Sequence, residues 1–366
     1  AAYEAEADSI ARLFLTETSR NLVRVFLLQD RLKSLGDKTV APTTRVHVVG
    51  AGVMGADIAA WCALRGLEVT LQDRDAALVE AAIQRVRPLF ERRVKDSAKR
   101  DSAIARLRAD AEGRGIASAD LVIEAIVENV EAKRALYRQL ETQLPAGALI
   151  ATNTSSIQLE ALRGALRDPE RLVGLHFFNP VAQMPLVEVV HTASTPASIL
   201  ARAVSFARQL DKLPLPCRSA PGFLVNRVLA PYMLEAVHAA TDGVPLDVID
   251  QAAMDFGMPV GPVELSDMVG LDVCRNVGAI VAGATGRTLP DLTPIESLIR
   301  AGKLGRKSGE GFYRWHEGKA QRPAASLVAR TATPTVLADL QDRLLLSIAN
   351  EAVACLREGV VSEAQL

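Results

Sequence analysis

The chain has almost no excess charge of either sign. Its 366 residues carry 42 Lys and Arg against 43 Asp and Glu, a formal net charge of −1, so it offers no broad basic surface to nucleic acid or an anionic membrane. Cysteine is sparse. Cys62, Cys217, Cys274 and Cys355 stand far apart, in no metal-ligand or redox spacing, which argues against a disulfide scaffold and a metal centre and for reduced thiols in an intracellular, cytoplasmic setting. No apolar run approaches the roughly 18 residues of a membrane span. The first residues, AAYEAEADSIARL, are acidic where a secretory leader is basic. Apolar residues are present at 49% beside 23% charged. That is the balance of a globular protein, and the length allows two or three domains, each with its own core.

Residues 45–55 read RVHVVGAGVMG. A short apolar run meets Gly50, Gly52 and Gly55 in G-x-G-x-x-G spacing, and an apolar helical pattern follows. In a strand–turn–helix unit each glycine has a task. Gly50 permits the reversal, Gly52 lets the backbone approach a pyrophosphate, and Gly55 lets the helix pack on the strand. Asp73 lies at the end of the next strand pattern, where an acidic side chain accepts hydrogen bonds from a ribose and repels a 2′-phosphate. NAD is therefore expected over NADP.

Strand-like runs at 46–49, 69–72, 121–125, 149–152, 172–176 and 186–190 alternate with helical stretches, the pattern of an α/β protein with a Rossmann-like, doubly wound sheet. Strands are expected to stop after Pro221-Gly222, where an all-α C-terminal domain begins. Residues 302–315, GKLGRKSGEGFYRW, form a basic, glycine-rich loop ending in aromatics. Residues 226–244 align without gaps on 342–360, with Arg227/Arg343, Glu235/Glu351 and five further identities. This repeat implies a partial second copy of the helical domain. The expected organisation is a helical tail at 1–38, a linker at 39–44, the dinucleotide domain at 45–216, the helical domain at 217–316, a linker at 317–335 and the partial copy at 336–366. Only about thirty residues of that copy are present, so the chain reads as a portion of a longer protein.

Several residues carry candidate chemistry. His176 ends one apolar strand, and Glu188 lies inside the next, where a carboxylate is costly without a partner. Together they suit a general base and the carboxylate that orients it. Asn153, Thr154, Ser155 and Ser156 follow the strand pattern at 149–152 and read either as a helix cap or as hydroxyls facing a ligand. Glu128, Asn129 and Lys133 open the helix after 121–127 with the same two readings. Asn226 sits in an otherwise apolar helix start, PGFLVNRVL, where its amide needs a partner.

The motifs GAGVMG, IVEN, NTSS, HFFNP, PLVEVV and PGFLVNR occur in this order, and from residue 45 to 315 the chain resembles the L-3-hydroxyacyl-CoA dehydrogenase family. The resemblance implies NAD-dependent oxidation of an L-3-hydroxyacyl-CoA to a 3-oxoacyl-CoA in fatty-acid β-oxidation. It implies His176 as catalytic base, Glu188 as its partner, and Ser155 and Asn226 against the substrate. Gly50, Gly52, Val53, Met54, Gly55, Asp73, Val127, Glu128, Asn129, Lys133, Ser155 and Asn179 match positions lining NAD. Where the family places a CoA-contacting lysine after the second strand, this chain offers Lys95 amid Arg92 and Arg93, and solvated surface charge is the other reading of all three. Residues 1–38 resemble the last helix of an enoyl-CoA hydratase unit, as in multifunctional fatty-acid oxidation proteins. The implied partners are an acyl-CoA, a thiolase in complex with the parent protein, and a second copy in a homodimer. Asp342 replaces Asn226 in the second copy, which is thus expected to be structural only. Three other readings stay open: a dehydrogenase of a small free 3-hydroxy acid, which generally uses a lysine for proton transfer; a non-catalytic, crystallin-like NAD-binding protein; and a portion inactive because its last domain is incomplete.

Overall fold

Arg45–Val49 (β1) is buried along all but its first residue because it lies inside a parallel sheet covered on both faces, the setting that favours continuous apolar runs. The computed structural model describes residues 2–37, 39–286, 288–322 and 334–362. Residues 323–333 of the expected second linker, Lys38 at the end of the helical tail, and 363–366 of the expected second copy lie outside the described residues. The chain divides into two compact units, 1–219 with 361–366, and 220–360.

In the first unit, helices Ala2–Phe14 (α1) and Glu17–Lys33 (α2) precede β1. The sequence suggests one helical segment, but Thr16 interrupts it and caps α2, its Oγ1 accepting from Ser19 N at 3.2 Å. After β1 come Val53–Leu64 (α3), Glu68–Gln72 (β2), Ala76–Arg93 (α4), Ser97–Ala105 (α5) and Leu107–Ala109 (β3). Leu121–Glu124 (β4), Val130–Glu141 (α6), Leu149–Thr152 (β5) and Leu159–Arg163 (α7) follow. Leu172–Phe177 (β6), Leu186–His191 (β7), Ala197–Gln209 (α8) and Leu213–Arg218 (β8) complete the unit.

The eight strands run in the order β3-β2-β1-β4-β5-β6-β7-β8. All neighbours are parallel except β6 and β7, which pair antiparallel with His176 directly opposite Glu188. The order reverses between β1 and β4, the switch point at which doubly wound sheets bind ligands beyond their carboxyl ends.

Two strands escape the sequence pattern. β3 is only three residues long with an exposed arginine. β8 contains Pro214 and Pro216, which argue against a strand. Leu213 N and Ser219 N donate to Pro185 O and His191 O of the β7 side at 2.7 and 2.8 Å. In a parallel ladder alternate residues face the same neighbour, so the two prolines fall where no donor toward β7 is needed.

The second unit holds Val225–Thr241 (α9), Leu246–Phe256 (α10), Pro262–Val269 (α11), Leu271–Thr285 (α12), Thr293–Arg300 (α13) and Pro334–Arg357 (α14). It is helical, but strands do not stop at Pro221-Gly222: Arg314–His316 (β9) and Lys319–Gln321 (β10) form an antiparallel hairpin. The glycine-rich loop before it is held by buried acids. Asp267 accepts from Phe312 N, Tyr313 N and Trp315 Nε1 at 2.8–3.0 Å, and Asp250 accepts from Tyr313 Oη at 2.9 Å. No described helix is long and apolar enough to cross a membrane.

Candidate active site

The glycine turn after β1 shows why three glycines are needed. Gly50 has φ +111°, and a Cβ there would lie 2.5 Å from Ala125 O. A Cβ on Gly55 would lie 1.8 Å from Gly50 O, so α3 could not approach the turn. Gly52 differs: a Cβ there would meet nothing within 4 Å. It is the N-cap of α3 and supplies no side-chain acceptor to the first amides. Open space above uncapped helix amides fits an anion of pyrophosphate type.

Asp73, just past β2, turns its carboxylate back to this loop. It accepts from Ala51 N at 2.7 Å and from Arg74 N at 2.8 Å. Val53 and Val127 present apolar side chains at this edge, 54% and 70% exposed, whereas Met54 packs against the sheet core. Arg85 of α4 donates to Gly52 O at 3.1 Å. Nothing in the sequence singles it out, because one arginine on an amphipathic helix reads as solvated surface.

At the ends of β4 and β5 two carboxylates organise the polar residues. Glu124, wholly buried, accepts from Lys133 Nζ at 2.6 Å, Ile126 N at 2.8 Å, Tyr137 Oη at 2.8 Å and Thr152 Oγ1 at 2.8 Å. Burial and the Glu124 carboxylate push the Tyr137 phenol well above its ordinary pKa. Lys133 also lies 3.4 Å from Glu128. Glu128 accepts from Ser155 N at 2.9 Å, Ser156 N at 3.2 Å, Ser156 Oγ at 3.2 Å and Thr154 Oγ1. Burial would raise the Glu128 carboxyl, but Lys133 and these hydrogen bonds outweigh it and hold the pKa below its usual range. The NTSS stretch therefore wraps a carboxylate; the helix that follows begins only at Leu159. Asn129 takes the ordinary role and caps α6, accepting from Ala132 N at 2.9 Å. Glu124, Tyr137 and Thr152 were missed from sequence. The signal for Glu124 was available, a carboxylate inside an apolar strand, the same one that singles out Glu188.

His176 Nδ1 lies 2.6 Å from Glu188 Oε2, with both residues buried. Against a carboxylate, which only accepts, Nδ1 is the donor of this pair. The Phe178 ring sits 4.6 Å from the imidazole, centroid to centroid. Asn153 Oδ1 accepts from Phe177 N at 2.9 Å, tying the NTSS turn to the strand end that carries His176. The first unit thus gathers His176, Ser155, Glu128 and Lys133 around the carboxyl ends of β4, β5 and β6, with Glu188 near the amino end of antiparallel β7. Asn179 lies exposed in the loop after β6, and Lys95 is exposed just ahead of α5. Asn226 belongs to the second unit, in the first turn of α9. Among the described residues no cluster of His, Cys, Asp and Glu could hold a metal.

Comparison with known proteins accords with this geometry. Residues 45–220 match the NAD-binding domain of 3-hydroxyacyl-CoA dehydrogenase and residues 222–315 its C-terminal domain. A fatty acid oxidation complex subunit alpha from Ectopseudomonas oleovorans is 32% identical over 382 aligned residues, covering 99% of this chain and 53% of its own length. The chain thus spans about half of that relative. The crystal structure of 3-hydroxybutyryl-CoA dehydrogenase from Escherichia coli K12 is 30% identical with a TM-score of 0.76, covering 89% of this chain and 87% of the other. The dehydrogenase part of multifunctional enzyme 1 from C. elegans is 25% identical with a TM-score of 0.64, covering 93% and 83%. With its glycine turn, its buried His–Glu pair and these matches, the chain belongs to the 3-hydroxyacyl-CoA dehydrogenase family of NAD-dependent oxidoreductases.

Proposed function

We propose that this chain reversibly oxidises an L-3-hydroxyacyl-CoA to the 3-oxoacyl-CoA. The observation that carries this reading is the His176–Glu188 pair, 2.6 Å apart, at the carboxyl edge of a sheet whose glycine turn fits a dinucleotide. NAD, when bound, accepts a hydride from C3 of the substrate. Gly50, Gly52, Val53, Met54 and Gly55 would form the turn at its pyrophosphate, Asp73 would take its ribose, and Val127, Glu128, Asn129, Ser155 and Asn179 would line the rest, with Lys133 held behind them by Glu124.

His176 Nε2 takes the proton of the 3-hydroxyl. Glu188, accepting from Nδ1–H, fixes the ring and stabilises the imidazolium that forms, an arrangement typically contributing about 10²–10⁴-fold. Glu128 holds Ser155 through its amide at 2.9 Å and its hydroxyl at 3.4 Å, and in this reading the same hydroxyl meets the substrate oxygen. The role of Asn226 toward the substrate rests on the motif PGFLVNR. In the proposed organisation residues 45–216 bind NAD, 217–316 form the helical domain, 336–366 are a partial copy without a site, and 1–38 belong to a hydratase unit.

A place in fatty-acid β-oxidation within a complex is supported by the name of the Ectopseudomonas relative. A thiolase in that complex, a homodimer and a cytoplasmic location complete the proposal. The test is oxidation of NADH, followed by absorbance, with acetoacetyl-CoA as acceptor. Turnover with NADH far above that with NADPH is expected. No turnover with either defeats the activity, and equal turnover defeats the assignment of Asp73.

A further inference from the structure

The ammonium of Lys212 has no part in the reaction above, yet its surroundings are unusual for a lysine. The residue is 2% exposed. Its Nζ donates to Val181 O and, at 2.7 Å, to Met184 O, and lies 4.5 Å over the Trp61 ring. Trp61 is itself fixed, its Nε1 donating to Leu210 O at 2.9 Å. The adjacent Asp211 carboxylate faces Arg65 instead, at 3.7 Å. Removing a cation from water is costly unless the site compensates. Here the compensation is two carbonyl dipoles and an aromatic face.

Those carbonyls belong to residues 178–185, the loop joining β6 to β7. Gln183 N and Met184 N both donate to Pro180 O, at 2.9 and 3.0 Å, so the loop contains a single helical turn. Arg93, the last residue of α4, donates to Ala182 O and lies 5.5 Å over the same Trp61 ring. Two cations from different elements therefore close on the carbonyls of 181, 182 and 184. The loop begins at Phe178, in ring contact with His176. It ends at Pro185, whose carbonyl accepts from Leu213 N at 2.7 Å, one residue before the strand that carries Glu188.

We propose that Lys212, seconded by Arg93, is a positioning residue for dehydrogenation: its ammonium anchors the loop at 178–185, so that His176 and Glu188 keep the geometry proton transfer needs. The proposal rests on His176 being the base. Lys212 acts through the loop and touches neither substrate nor cofactor. A merely structural lysine would lower activity in step with stability, whereas an anchor of this kind lowers turnover in a folded enzyme that still binds cofactor.

The test is steady-state kinetics with acetoacetyl-CoA, NADH affinity by fluorescence and hydrogen exchange, on the full chain carrying Lys212→Met, Lys212→Arg, Arg93→Met or His176→Gln. For Lys212→Met we expect kcat to fall about 10- to 100-fold, the scale of small misplacements at a reacting centre. NADH affinity should fall much less than kcat, by no more than about tenfold, because Asn179 is the one residue assigned to NAD in this loop, and faster amide exchange should be confined to the loop. Lys212→Arg, which keeps a cation for the carbonyls, should recover most of the loss, and Arg93→Met should show a smaller fall. Wild-type kcat in Lys212→Met, beside a strongly impaired His176→Gln, overturns the proposal alone. Wild-type kcat in His176→Gln overturns the assignment of the base and this proposal with it. Should Lys212→Met fail to fold, Arg93→Met decides, and unchanged turnover and loop exchange there overturn the proposal.

Discussion

Arg227 and Arg343 occupy the same position in the two repeat copies, and each binds the acids of the other copy. Arg227 of α9 contacts Glu351 and Glu358, both at 2.7 Å. Arg343 of α14 contacts Glu235 at 2.7 Å and Asp242 at 3.1 Å. Glu235 aligns with Glu351, and Asp242 with Glu358. The two helices thus meet through one patch used twice, as copies do across a two-fold axis. The partial second copy has a structural task here, covering α9 within the second unit.

The two arginines are equivalent in sequence and unequal in burial, with side chains 4% and 38% exposed. Arg227→Met leaves the buried Glu351 carboxylate without its arginine and should cost about 3–5 kcal/mol of the second unit's stability. Arg343→Met removes a half-exposed pair and should cost about 1 kcal/mol or less. Chemical denaturation of both variants measures the difference, and equal losses would contradict this account of the repeat.

Much of this was legible in sequence, for identifiable reasons. All six strand candidates are strands, because strands inside a sheet covered on both faces are largely apolar runs. The repeat and the His–Glu pairing were visible as well. β8 was hidden because its prolines look prohibitive until the neighbour on only one side is known. Glu124 was hidden by being one residue in LVIEA, its partners Lys133, Tyr137 and Thr152 arriving from two other elements. The Lys212 anchor has no local signature at all. It lies in a turn, its ligands are backbone carbonyls, and no spacing pattern encodes them.

The glycine turn makes a paired prediction. Gly55→Ala places a methyl on the Gly50 carbonyl and should destabilise the first unit by about 1–3 kcal/mol. Gly52→Ala has open space and an ordinary extended backbone, so its stability should stay within about 0.5 kcal/mol of wild type. Its NADH affinity should nevertheless fall at least about tenfold, because the methyl stands where a pyrophosphate approaches. Thermal unfolding beside NADH titration separates the two. An unstable Gly52→Ala, or one that binds NADH normally, contradicts the fit.

His47 predicts an acid limit on stability. Within β1 its ring nitrogens lie 2.7 Å from Thr70 Oγ1 and 2.9 Å from Gln72 Oε1. Burial lowers its pKa below the ordinary 6.5, against opposing effects of Gln72 and Asp110. The unfolded chain therefore takes up this proton first as pH falls. Stability associated with neutral His47 is present above about pH 6.5 and is lost below it as the pH falls through the folded-state pKa. His47→Gln should lose less stability between pH 7 and 5 than wild type in parallel denaturation curves. Identical losses would show that His47 does not contribute.

The most direct test of the central claim is the turnover of His176→Gln with acetoacetyl-CoA and saturating NADH, measured beside its NADH dissociation constant. The account predicts a kcat lowered by about 10²–10⁴-fold, the typical contribution of a positioned base, with NADH binding nearly unchanged because His176 lies outside the glycine turn. A loss of less than about tenfold, or a loss explained by weakened NADH binding, would contradict His176 as the base.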